Sequence, residues 1–445
     1  MIDRIYHKWR LFGILVYIMS SASIYMDKAK GVWSHAGFQK YFQNTGWMFL
    51  GQATMIISLI INIWLARYLG PENFGKMNYV FAFVGIFGFL TNLGINDILI
   101  RNLVRNPEKR DALLGTAFWL MTAGGILSFI TITILSFQLE PSGMIRSLII
   151  LYATTSLLSP INVISAYFQA TIQAKKNALA QIFGTILVSI FKIFLIFSGQ
   201  GIIWLVFAFV LDYIVGTFFY IINYIKSDLK IRHWKFNKVI AKDLLKASYL
   251  LMLSTVTGYL LLKIDQVMVK FFLDEKAVGI YAVAVKLSEI WYFIPGIICG
   301  SLFPAIINAK KASEHVYINR LKKLYIFLGT TATIIAIPIT LLAPWLIKII
   351  FGMEYILAAP ILQIYVWSGV GLFLSIGINR FFMAEDNLKP IFYYSLVAVI
   401  INVSLNFILI PSTGLTGAAW ATLISYSVGP ILILFLSKFK KLYVK

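Results

Sequence analysis

Leu262-Lys263-Ile264-Asp265-Gln266-Val267-Met268, followed by Val278-Gly279-Ile280-Tyr281-Ala282 and then by Lys286 and Glu289, decides how the rest of this chain is read. These residues belong to an apolar stretch, 248–304, that reads as two membrane-spanning helices joined by a turn at 273–278. The second helix carries a kinking Pro295-Gly296. At a rise of about 1.5 Å per residue, Asp265 lies roughly 10 Å below the turn. Lys263 and Lys286 fall at about 13–14 Å. Glu289 falls at about 18 Å, just past the middle of a hydrocarbon core about 30 Å thick. An ionised group facing lipid at that depth costs several kcal/mol, so all four are expected to face protein or a wet cavity. Lys286 and Glu289, three residues apart, share a helix face. Lys263 and Asp265 do not, so at least one of them needs a partner on another helix. Two readings follow: a buried ion-pair network that fixes helix packing, or the lining of a substrate or ion path.

Composition extends the reading outward. Of 445 residues, 60% are hydrophobic and 13% charged, with a mean hydropathy of +0.83. That profile describes a polytopic all-α membrane protein. A single cysteine, Cys299, excludes a disulfide framework, and four scattered histidines make no metal-ligand spacing. No phosphate-binding GxxxxGK[ST], HExxH or GxSxG motif is present, which argues for a transporter rather than an enzyme and against ATP hydrolysis. The net charge of +21 lies in loops between spans, so membrane orientation explains it better than nucleic acid does.

Twelve apolar runs are long enough to span: 47–66, 79–99, 112–137, 144–168, 178–197, 202–225, 247–272, 277–307, 324–343, 358–379, 391–410 and 415–437. Alternate loops carry 24 and 6 lysines and arginines. A strict alternation of that size predicts twelve spans with both termini in the cytoplasm. The expected organisation is an N-terminal cytoplasmic or interfacial extension (1–40), a six-helix bundle (41–225), a basic cytoplasmic linker (226–246), a second six-helix bundle (247–437) and a cytoplasmic tail (438–445). The apolar segment 11–25 is too short to span. It reads as an interfacial helix or as an over-long start with Met26 the true initiator, which the intact mass of the native protein would decide.

The two halves look like a parallel repeat. Asn62 through Gly70 lays on Asp265 through Leu273, Phe74-Gly75 falls near Val278-Gly279, and Phe168-Gln169-Ala170 falls on Phe382-Met383-Ala384. In this register Asn62 occupies the place of Asp265. The first half has its own buried charges, Lys192 and Asp212, both in the outer half of the membrane.

With these residues laid out, the chain resembles the oligosaccharide flippases of the Wzx type. Their MOP superfamily also holds MATE multidrug exporters and lipid II flippases. The resemblance covers about residues 36–440. It rests on Asn44-Thr45-Gly46-Trp47 through Gly51, on Ala66-Arg67-Tyr68-Leu69-Gly70-Pro71-Glu72-Asn73-Phe74-Gly75 and on Leu93-Gly94. The 263–268 and 278–282 segments carry it further, as does Gly414-Leu415-Thr416-Gly417-Ala418-Ala419 through Thr422. It implies two six-helix bundles around a central cavity that works by alternating access. The implied cargo is an oligosaccharide unit on undecaprenyl diphosphate, carried across a bacterial cytoplasmic membrane for O-antigen, capsule or exopolysaccharide synthesis. Implied partners are the bilayer and polymerase or chain-length proteins, with no nucleic acid. No cofactor is implied; a proton or sodium gradient would drive the cycle. On this reading Lys263, Lys286 and Lys192 supply positive charge to the diphosphate, and Asp265, Glu289 and Asp212 take up protons or cations. The rivals are a cation-coupled drug exporter on the same fold, which three buried lysines disfavour, a lipid II flippase, which usually carries extra spans, and a glycan polymerase, which would need a long outer loop.

Overall fold

A computed structural model describes residues 54–385, 387 and 389–434, with Gly46, Trp47, Leu50 and Gly51. The expectations for 1–40, the Met26 start and the tail 438–445 lie outside the described residues. The described chain is nearly all helical. Backbone groups in hydrocarbon have no water to bond, so long apolar segments close their hydrogen bonds internally as helices. Among the described residues ten helices are long and apolar enough to cross a membrane.

The first of these, Thr54–Ile86, is two helices meeting at Gly70, whose φ of 68° and ψ of 171° break the helical run. We call 54–69 α1 and 71–105 α2. The other nine are α3 (Arg110–Leu139), α4 (Gly143–Ala170), α5 (Ala174–Phe197), α6 (Ile202–Ile225), α7 (Lys238–Phe272), α8 (275–312), α9 (Glu314–Ile350), α10 (358–384) and α11 (Lys389–Thr413), and the helix α12 (Leu415–Leu434) follows them. They form two six-helix bundles. The polar run 67–78, between the first two apolar runs, is helical on both sides of Gly70. Pro71 presets the first turn of α2, and Lys76 bonds Glu72 one turn back at 2.6 Å. Hydropathy alone reads such a turn as a loop.

In each half the second and fourth spans are interrupted inside the membrane. α2 breaks at Phe87 and at Leu93-Gly94, where both residues have positive φ. α4 breaks at Thr154 and in a 3-10 turn around Pro160. α8 breaks between Glu289 and Ile294, just ahead of the expected Pro295-Gly296 kink, and α10 breaks at Val366-Trp367. Non-helical backbone at this depth is tolerated where it is buried in protein or lines a cavity.

The largest buried cluster runs across the two bundles, with Phe74, Met77 and Val80 of α2 packed among Tyr281 of α8 and Tyr355 and Tyr365 near and on α10. Lipid tails are as apolar as leucine, so helices associate here through close backbone approach rather than hydrophobic burial. Two glycines related by the repeat make the closest approach. A Cβ on Gly75 would lie 1.7 Å from the Glu275 carbonyl oxygen, and one on Gly279 would lie 1.9 Å from that of Pro71. Gly279→Val is therefore expected to hold α2 and α8 apart beside the Gly70 turn. In a chain lacking Cys299, Ala282→Cys, buried beneath this contact, should then label severalfold faster with a water-soluble maleimide. Unchanged labelling would contradict the packing.

Candidate functional site

Asp265 is 3% exposed and brings a carboxylate into the second bundle from α7. Tyr281 of α8 donates to it at 3.1 Å and Asn406 of α11 at 2.7 Å, and the Thr422 hydroxyl of α12 donates to it as well. The second amide hydrogen of Asn406 goes to Asn402 one turn back, at 3.1 Å. All five residues are buried. Bonds to an ionised group each contribute about 1.5–3 kcal/mol, against several kcal/mol for desolvating the charge. Among the described residues no lysine or arginine pairs with Asp265, so dipoles alone meet its charge. Asn406 Oδ1 and Asn402 Nδ2 are buried without a partner. A buried carboxylate held only by neutral donors is a site that a proton can neutralise.

A second group sits where the bundles face each other. Lys286 Nζ donates to Asn62 Oδ1 of α1 at 3.2 Å and lies 5.9 Å from the centre of the Phe74 ring. Asn62 is held by its own amide, which donates to the Ser58 carbonyl at 2.7 Å. The repeat register placed Asn62 opposite Asp265; the structure gives it a different task, accepting from a lysine of the other bundle. Lys263 also turns to the first bundle, for a Cβ on Gly85 would lie 3.7 Å from its Cγ. Glu289, at the break in α8, accepts from Tyr365 at 3.4 Å. Among the described residues neither Lys263 nor Lys286 has a carboxylate within 4.0 Å, although Glu289 is one turn from Lys286. Lys192 and Asp212 form a separate ion pair within the first bundle, the lysine lying 3.6 Å from the centre of the Phe209 ring. The structure thus divides the seven sequence candidates into three groups and does not join the hairpin charges into one ion-pair network.

The ends of the bundles beside the Gly70 turn are tied together. Lys270 bonds Glu140 at 2.8 Å, with Glu140 2% exposed. Arg67 donates to the carbonyls of Ile349 and Ile350, at 2.8 Å for the latter, and so closes the C-terminus of α9. Tyr355 donates to the Ala66 carbonyl at 2.7 Å. Sequence reasoning missed Glu140, a lone acid at a span end. It also missed Asn402 and Asn406. Two amides four residues apart in an otherwise apolar run share a helix face, and that spacing was the available signal.

This arrangement, an all-helical membrane protein whose buried charges lie within and between two six-helix bundles, has the fold of the MOP superfamily. An inward-facing structure of a multidrug-resistance MATE-family transporter of that superfamily matches at a TM-score of 0.67 and 17% identity, over 88% of this chain and 94% of the other. Lipid II flippase MurJ in an inward closed conformation matches at 0.65 and 17%, over 89% of each chain. The chain belongs to the polysaccharide biosynthesis protein family, whose pattern covers residues 41–310. A curated relative, the probable low-salt glycan biosynthesis flippase Agl15 of Haloferax volcanii, is 26% identical over 196 residues. That match spans 43% of this chain and 41% of the relative's length.

Proposed function

We propose that this protein is a non-enzymatic flippase that moves a lipid-linked oligosaccharide, carried on undecaprenyl diphosphate, from the cytoplasmic to the outer leaflet for polysaccharide assembly. The observation that carries this reading is the pair of lysines between the bundles, Lys263 and Lys286, which lack carboxylate partners among the described residues. Glu289 faces both lysines at longer range, so two positive charges meet one carboxylate, and the net positive charge left inside a membrane is costly. A diphosphate that arrives with the cargo would supply the missing counter-charge. A drug exporter for cations would place the opposite charge there. The family membership supports a polysaccharide pathway. The excess of basic residues on one set of loops supports a cytoplasmic membrane with both termini inside.

In this reading Asp265 is the coupling group. Protonation or cation binding changes the charge of a cage that four helices share, and so biases one arrangement of the bundles over the other. Glu289 and Lys286 sit beside the break in α8, where that bias would reach the cargo. Reconstitution tests the proposal. Proteoliposomes holding the protein should move the host's undecaprenyl-linked oligosaccharide between leaflets faster than empty vesicles, and faster still under an imposed proton or sodium gradient. Rates equal to those of empty vesicles in every gradient would refute it.

A further inference from the structure

A cavity of about 420 Å³ opens in the first bundle between the breaks of α2 and α4. Small-ligand sites typically enclose roughly 300–1,000 Å³. No lysine, arginine, histidine or carboxylate lines it, although an adjoining cavity of about 200 Å³ that shares Ser159, Asn162, Tyr213 and Tyr220 with it is lined by Asp212. The polar wall of the larger cavity is made of amides and hydroxyls, with Asn92 and Asn96 from α2, Asn162 from α4 and Gln181 from α5. A cavity of about 210 Å³ in the second bundle mixes Leu261, Leu372 and Ile391 with Ser254, Asn379 and Ser425, and another of about 540 Å³ is lined by Arg320 and Lys323.

The hydroxyls of the polar wall act in one direction. Thr91, Thr155 and Ser159 spend their hydroxyl protons on helix carbonyls, at 2.8, 2.7 and 2.9 Å. Each oxygen therefore turns lone pairs, not a proton, to the cavity. Asn92 Oδ1 is buried without a partner and adds another acceptor. The amides of Asn92, Asn96, Asn162 and Gln181 add N–H donors as well as oxygens, so the wall as a whole both accepts and donates. Sugar hydroxyls do both and match it, whereas no lining cation offsets the desolvation of a carboxylate or phosphate. Tyr259 of α7 comes from the other bundle and shuts one side, its ring 3.2 Å from where a Cβ on Gly88 would sit. An amphipathic ring in that position offers a flat face to a sugar and a hydroxyl at its edge.

We propose that this cavity binds uncharged, hydroxyl-bearing sugars of the transported unit and thereby sets which glycans are carried, while the seam lysines hold the anionic end. The proposal rests on the flippase reading. It assigns Asn92 and Asn162 as specificity residues. Neither makes an internal hydrogen bond among the described residues, so neither truncation removes a bond that the fold uses.

The test compares two lipids in proteoliposomes: the host's undecaprenyl-linked oligosaccharide and undecaprenyl diphosphate without sugar. Wild-type protein should prefer the first. Asn92→Ala and Asn162→Ala should each lower the ratio of the two rates by about fivefold to tenfold, the value of one lost hydrogen bond of about 1–1.4 kcal/mol. A ratio equal to that of wild type, whether both rates fall or neither does, would overturn the sugar site and leave the flippase reading standing. Wild-type protein that moves neither lipid would overturn both.

Discussion

Asp265→Asn is expected to cut gradient-driven transport to a small residual rate while the protein still inserts and folds. The substitution keeps the shape of the side chain and removes its charge. Tyr281 and Thr422 can still donate to the remaining carbonyl oxygen. Asn406 now donates to the oxygen that becomes an amide, and a flip of its own amide turns the unpartnered Asn406 Oδ1 to the new hydrogens, while the unpartnered Asn402 Nδ2 can follow by a flip of its own. The cage therefore stays satisfied, and loss of packing is not the expected failure. What is lost is the response to a proton or cation. A coupling free energy of about 1–3 kcal/mol corresponds to a change of roughly 5–150-fold in the affected equilibrium, and Asp265→Asn should fall at the upper end. Gradient-driven transport should drop about a hundredfold. The residual rate should no longer depend on the imposed gradient. Detergent-solubilised variant should elute as wild type does. A variant that transports fully and still responds to the gradient would remove Asp265 from the mechanism.

Lys286→Ala is the second large effect. The ammonium group sits between the bundles with one neutral acceptor, Asn62 Oδ1 at 3.2 Å. Truncating one partner of a desolvated charge contact costs about 2–5 kcal/mol, so transport of a diphosphate lipid should fall by a factor of roughly 30 to several thousand. Lys286→Arg should recover part of the rate, because charge is kept while a planar fork replaces a point donor. The loss should be specific to the anionic end of the cargo. Asn62→Ala leaves the ammonium in place for the diphosphate and should cost less, about 1–3 kcal/mol for the acceptor that Lys286 loses. Equal losses from Lys286→Ala and Asn62→Ala would assign the contact to packing between the bundles instead.

Much of this architecture was legible from the chain. Apolar runs and alternating loop charge lead to twelve spans, because both signals come from the bilayer itself and need no tertiary detail. The outer turn at Gly70 was harder. Its polar flanks look like a loop until Pro71 and the Glu72–Lys76 pair are seen to start a helix. The candidate residues were found because a charge in an apolar run is conspicuous. Their grouping was not, since partners such as Asn406 and Thr422 are neutral, common and 141 and 157 residues away in sequence. Depth along a helix can be counted, but the direction in which a side chain turns depends on neighbours that one sequence does not name. The uncharged cavity escaped for the same reason. Asn92, Asn162 and Gln181 carry no signal singly, and only the two broken helices bring them together.

The central claim is that this chain carries a completed lipid-linked sugar unit across the membrane. Deleting the gene in its native host and analysing undecaprenyl-linked lipids by mass spectrometry tests this most directly, with an outer-face accessibility assay alongside. The account predicts that one complete repeat unit builds up and stays inaccessible from outside. Complete units that reach the outer surface but remain unpolymerised would contradict it, as would lipid-linked sugars that do not change at all.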